Sequence, residues 1–139
     1  QTGQGKSRGQ GMNANMLLSV AVGGALGSVA RYLAMIGAGA WLGTSFPWGT
    51  LSVNALGSAV MGLIIEGSAL RWNIGPEWRA FLTVGVLGGF TTFSTFSLDV
   101  AVLIERHELL SAAVYIFTSV LASVGALFGV MFLLRQVWS

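Results

Sequence analysis

Gly85-Val86-Leu87-Gly88-Gly89-Phe90-Thr91-Thr92-Phe93-Ser94-Thr95-Phe96-Ser97 is the stretch that decides how this chain is read. It lies inside an apolar run, yet it places Gly88 and Gly89 directly before two threonines, a combination with poor helix propensity. Two structures fit it. In one, the helix breaks at the glycines and releases backbone carbonyls at bilayer depth, which is tolerated only when protein or a cavity surrounds them and which can hold a cation. In the other, the helix runs straight and the glycines serve close packing. Phe90, Phe93 and Phe96 recur every three residues, as ordinary core packing also requires. Here they alternate with Thr91, Thr92, Ser94, Thr95 and Ser97, so rings and hydroxyls share one segment. An aromatic ring has a positive edge and a negative face. Ring edges can therefore solvate a small anion without a full positive charge that would trap it.

Around this stretch the chain is apolar throughout. Of its 139 residues 54% are apolar and 9% charged, against about 25% charged in a soluble domain. Such a chain cannot cover itself with a polar skin, so lipid must cover it. A helix needs about 20 apolar residues to cross a bilayer core, and four stretches qualify, at about 16–36, 48–70, 79–104 and 109–134. Glycines, Pro47, Pro76 and charged residues separate them, and Trp41, Trp48, Trp72, Trp78 and Trp138 all fall near predicted ends, where tryptophan favours the headgroup level. The expectation is an all-α membrane protein of four transmembrane helices. Residues 1–11 lack apolar periodicity and read as a flexible polar tail, a leader or tag remnant being one origin; 12–139 form a single transmembrane domain.

Composition excludes several functions. The formal charge of +2 is too small and too scattered for a nucleic-acid footprint. No Gly-rich phosphate loop of the nucleotide-binding type is present. The absence of cysteine removes disulfides, thiolate zinc sites and a cysteine nucleophile. His107, between Arg106 and Glu108, reads as a solvated loop residue rather than a metal ligand. No nucleophile, base and orienting group can be assembled at credible spacing, so the chain is not read as an enzyme.

Polar residues inside the spans carry the functional signal, because they are costly in hydrocarbon unless they face protein or water. Thr50, Asn54 and Ser58 share one face of helix 2 at four-residue spacing. Ser111, Tyr115, Ser119 and Ser123 do the same on helix 4. Such stripes line a hydrated path or act as polar glue between helices. Small residues are also aligned: Gly23, Gly27 and Arg31 on helix 1, Ser58 and Gly62 on helix 2. They serve close packing within one bundle or between subunits, and spacing does not separate the two. Arg71, Arg79 and Arg135 on one side oppose Arg31 and Arg106 on the other, a weak positive-inside bias that permits insertion both ways round. Counting Lys6 and Arg8 makes it five against two.

These residues resemble the Fluc (CrcB) fluoride channels over nearly all of the chain after the tail. Gly23-Gly24, Gly27 and Arg31-Tyr32 match the family's helix 1 pattern; Pro47-Trp48-Gly49-Thr50-Leu51, Val53-Asn54 and Gly57 match helix 2; Gly85, Gly88-Gly89 and Thr91 through Ser97 match the helix 3 signature. The resemblance implies an antiparallel, dual-topology homodimer in the inner (plasma) membrane, with helix 3 broken near the bilayer midplane and two pores passively exporting fluoride to relieve its toxicity. It implies Phe93 and Phe96 as pore rings, Asn54 as an amide donor, and Tyr115, Ser119 and Ser123 as a polar track; Thr50 on the helix 2 stripe and Ser94 beside the rings are read as pore groups from their placement. It also implies Arg31 in a vestibule, and a structural sodium ion held by the main-chain carbonyls of Gly88 and Thr91 from both subunits. Snorkelling is a compatible role for Arg31. The principal rival is a proton-coupled small multidrug exporter, which needs a titratable carboxylate deep in the bundle. Helix 1 has none, and Glu66 and Asp99 lie near helix ends. A non-transporting assembly subunit would explain the glycines but not the two hydroxyl stripes.

Overall fold

A computed structural model describes residues 13–138; the predicted tail lies outside them. Helix 1 runs Ala14–Leu42, helix 2 Trp48–Leu70 and helix 4 Leu109–Trp138. Helix 3 has two halves, residues 76–90 and Phe93–Glu105, with Thr91 and Thr92 extended between them. All four spans are long and apolar enough to cross a membrane, and the described residues contain no strand. This is a multi-pass, all-α membrane protein.

Helix 1 extends further than the predicted 16–36. The Asn13 side chain caps its start by accepting from Asn15 N–H. Gly37 and Gly39 stay helical despite their low propensity, and the helix ends at Gly43, whose φ of 79° suits glycine. Helix 4 likewise passes the predicted Leu134 to reach Trp138. Between helices 3 and 4, His107 takes a positive φ of 60° in an exposed turn.

The alternatives for the small-residue faces resolve within one chain. Gly23 and Gly27 are the buried residues of helix 1 and press against the first half of helix 3. A Cβ on Gly27 would collide with the Val86 carbonyl, and one on Gly23 with that of Phe81. Residues Phe81–Leu87 form a π-helical turn, a wider coil that receives this backbone-to-backbone crossing. Arg31 completes the stripe, its Nε donating to the Gly89 carbonyl at 3.0 Å. Helix 2 packs along helix 4, where a Cβ on Gly62 would stand 2.6 Å from the Leu127 carbonyl.

The end of the bundle that holds the chain termini is locked. Buried Glu66 on helix 2 accepts from Arg135 Nε at 2.6 Å and Nη2 at 3.3 Å. Trp72 and Trp138 meet edge to face at 5.5 Å, and the Arg71 guanidinium lies 5.3 Å from the Trp138 ring centroid. Cutting the pair leaves Glu66 as an uncompensated buried charge. Arg135→Ala is therefore expected to lower the melting temperature in detergent, with Glu66→Gln/Arg135→Ala recovering part of the loss. Equal melting of Arg135→Ala and wild type would show that the pair stabilises nothing.

An uncharged groove at the helix 3 break

The break is held because both peptide groups of Thr92 and the Thr95 N–H find partners outside the helix ladder. The Thr91 hydroxyl donates back to the Leu87 carbonyl at 2.9 Å, a bond that bends helices. Thr92 has the extended geometry of an N-cap (φ −153°, ψ 119°), and its Oγ1 accepts from Thr95 N–H at 3.2 Å. From helix 2, Asn54 Oδ1 accepts from Thr92 N–H at 2.8 Å while Nδ2 donates to the Thr92 carbonyl at 3.1 Å. Thus the freed peptide groups of Thr92 are satisfied by a neighbouring helix, as burial demands. Arg31 places its cation against the carbonyl end of the first half, where the helix dipole favours positive charge. The straight-helix alternative is excluded.

Beside the break lies a groove of about 350 Å³ between helices 2, 3 and 4. Asn54, Phe93, Phe96, Ser119 and Ser123 line it together with Ser58, Thr91 and Thr92 among apolar side chains such as Met61 and Leu127, and no charged side chain of the described residues does. The Phe93 and Phe96 centroids are 5.4 Å apart, and Phe96 lies 5.2 Å from Tyr115. Phe90 is not among the residues that line the groove.

Tyr115 and Thr50 form a buried layer adjoining the groove instead of lining it. Tyr115 has no exposed surface, receives the edge contact of Phe46 at 5.6 Å, and donates its hydroxyl to Asp99 Oδ2 at 2.9 Å. The Thr50 and Ser119 hydroxyls flank this phenol. Both oxygens are buried without a hydrogen-bond partner among the described residues. Ser94 is exposed beside Thr92, 3.3 Å between hydroxyl oxygens, and does not line the groove. Arg31 and Gly88 also lie outside its lining. Asp99, near a helix end by sequence, gives no sign there of its bond to Tyr115 beyond its spacing, three residues after Phe96.

Lipid-length helices flanking an open, uncharged groove that carries hydroxyls, an amide and rings define a multi-pass membrane protein with polar groups held at bilayer depth. The chain belongs to the family described as "CrcB-like protein, Camphor Resistance (CrcB)", which matches residues 18–131. It is 57% identical to the "Fluoride-specific ion channel FluC" of Rhodospirillum centenum over 120 residues, covering 86% of this chain and 95% of that relative. The proteins of the same name from Nitrobacter winogradskyi and Agrobacterium fabrum are 53% and 50% identical, covering 91% and 86% of this chain and 100% and 95% of the relatives.

Proposed function

We propose that this chain is a passive fluoride-selective channel of the inner membrane, working as an antiparallel homodimer with two pores. The observation that carries the reading is the neutral groove at the break. Fluoride must shed tightly held water and still leave. Several modest donors permit that where one strong cationic site would hold the ion. Asn54 keeps one Nδ2 hydrogen beyond the one it gives to Thr92. The buried Ser119 hydroxyl, on the groove and without a hydrogen-bond partner among the described residues, suits a small acceptor in transit. Ring edges of Phe93 and Phe96 add weak, repeated contacts. Fluoride that enters a cell as the neutral acid is trapped there as the anion, and a voltage-driven exit relieves the load.

Two features support a second copy. Phe93 is 78% exposed, so a single chain does not close the groove around it. The break also diverts the donors that an intact helix would send to two carbonyls: Thr92 N–H goes to Asn54 instead of Gly88, and Thr95 N–H goes to Thr92 Oγ1 instead of Thr91. Gly88 is exposed, and lipid cannot satisfy a freed carbonyl at mid-span. The Gly88 and Thr91 carbonyls, paired with those of a second copy, make a hard oxygen set suited to sodium. A bound sodium ion would neutralise the converging carbonyl dipoles and hold the two breaks together. Arg31, engaged with Gly89, would contribute its positive field to anion entry.

The exporter alternative lacks its carboxylate, since Glu66 is paired with Arg135 and Asp99 accepts from Tyr115. In liposomes carrying the purified protein, a potassium gradient with ionophore is expected to drive fluoride out while chloride is retained. Vesicles that keep their fluoride would refute the channel. Drug-driven proton uptake would favour the exporter.

A further inference from the structure

We infer that Asn54 is a positioning residue that holds the helix 3 break open, and thereby couples the anion groove to the carbonyls proposed to bind sodium. The inference rests on the channel reading above. In an uninterrupted helix Thr92 N–H would bond to the Gly88 carbonyl. Asn54 Oδ1 takes that hydrogen at 2.8 Å, and Nδ2 returns one to the Thr92 carbonyl at 3.1 Å. One side chain thus satisfies both backbone groups of a residue that has left the helix. The clamp is well seated: Val53 beside it is 2% exposed, and Gly57, one turn on, touches the Thr91 side chain.

Two consequences meet at this clamp. The Gly88 carbonyl is free because its helical donor has been taken. Phe93 directly follows Thr92, so the direction of its ring depends on the conformation that Asn54 fixes. Without Asn54, Thr92 N–H can return to Gly88; the helix heals, the carbonyl is withdrawn and the Phe93 ring swings away from the groove. A residue that only liganded the ion would do neither.

The test uses the whole protein in fluoride-free detergent solution. Melting temperature is measured in sodium chloride and in N-methylglucamine chloride, and 19F NMR is recorded with fluorine-labelled rings at Phe93 and, separately, at Phe96. Wild type is expected to melt higher in sodium. Asn54→Ala is expected to lose that increment and to shift or broaden the Phe93 resonance, with Phe96 little changed. Asn54→Asp keeps an acceptor for Thr92 N–H and is expected to retain the sodium increment. A folded Asn54→Ala protein with the full increment and the wild-type Phe93 signal overturns the inference. Should Asn54→Ala fail to fold, Asn54→Asp decides: loss of the increment in that folded variant overturns it equally. A wild type indifferent to sodium defeats the cation reading instead, and the Phe93 resonance then decides whether Asn54 holds the break.

Discussion

Phe96→Ile is expected to cut voltage-driven fluoride efflux from liposomes by roughly tenfold, with the protein still folded. The substitution keeps apolar bulk where Phe96 packs on the Leu51, Leu103, Ala112 and Tyr115 cluster, so the cost to the fold stays below about 1.5 kcal/mol. What disappears is the ring quadrupole. Aromatic-specific contacts are worth about 0.5–1.5 kcal/mol beyond burial, and about 1.4 kcal/mol on a barrier is a factor of ten in rate. Phe96 lines the groove and stands between Phe93 and Tyr115 in a continuous row of rings. Phe90→Ile is the control, because Phe90 does not line the groove; its efflux should match wild type. Equal efflux from Phe96→Ile and wild type would remove ring edges from the mechanism.

The second large effect is on assembly of the bundle. Gly27→Val is expected to destabilise the protein by at least the roughly 1–3 kcal/mol typical of overpacking. Overpacking is mild when a flexible side chain can yield. Here the obstacle is backbone: the Val86 carbonyl, its carbon, and the Phe90 nitrogen surround the missing Cβ. Helix 1 would be pushed off helix 3, breaking the Arg31 bond to Gly89 that depends on the same register. Gly125→Ala is the comparison, since a Cβ there meets nothing within 4 Å. Heating in detergent followed by gel filtration should separate the two variants clearly. Similar melting of both would mean that the helix 1 crossing yields far more easily than its geometry indicates.

The sequence made some of this legible and left the rest open for identifiable reasons. Spans, tryptophan placement and the two polar stripes follow from composition and from a periodicity that any helix obeys. Thr50, Asn54 and Ser58 do face Tyr115, Ser119 and Ser123 across one interface, because four-residue spacing fixes a face. The break was open on local propensity alone. Glycine and threonine weaken a helix, but the deciding partners, Asn54 and Arg31, are 38 and 58 residues distant from theirs in the chain. For the same reason Thr50 and Tyr115, grouped with the pore residues by their stripes, lie in the layer adjoining the groove: spacing gives a face but no depth. Glycine stripes likewise announce close approach without naming the neighbour, which proved to be the Val86 and Leu127 backbone of the same chain.

The π-helical turn at Phe81–Leu87 has a consequence for what lengths of helix 3 the fold accepts. Such a turn accommodates extra backbone without lengthening the helix to match. Removing the one residue that it absorbs would restore ordinary coiling and leave the helix on either side in register, so Gly89 would still meet Arg31 and Thr92 would still meet Asn54. What would go is the widened coil on which Gly23 and Gly27 close. A single deletion within 81–87 should therefore spare the break and loosen the helix 1 crossing, whereas one at 88–90, with no slack to draw on, should turn Gly89 away from Arg31.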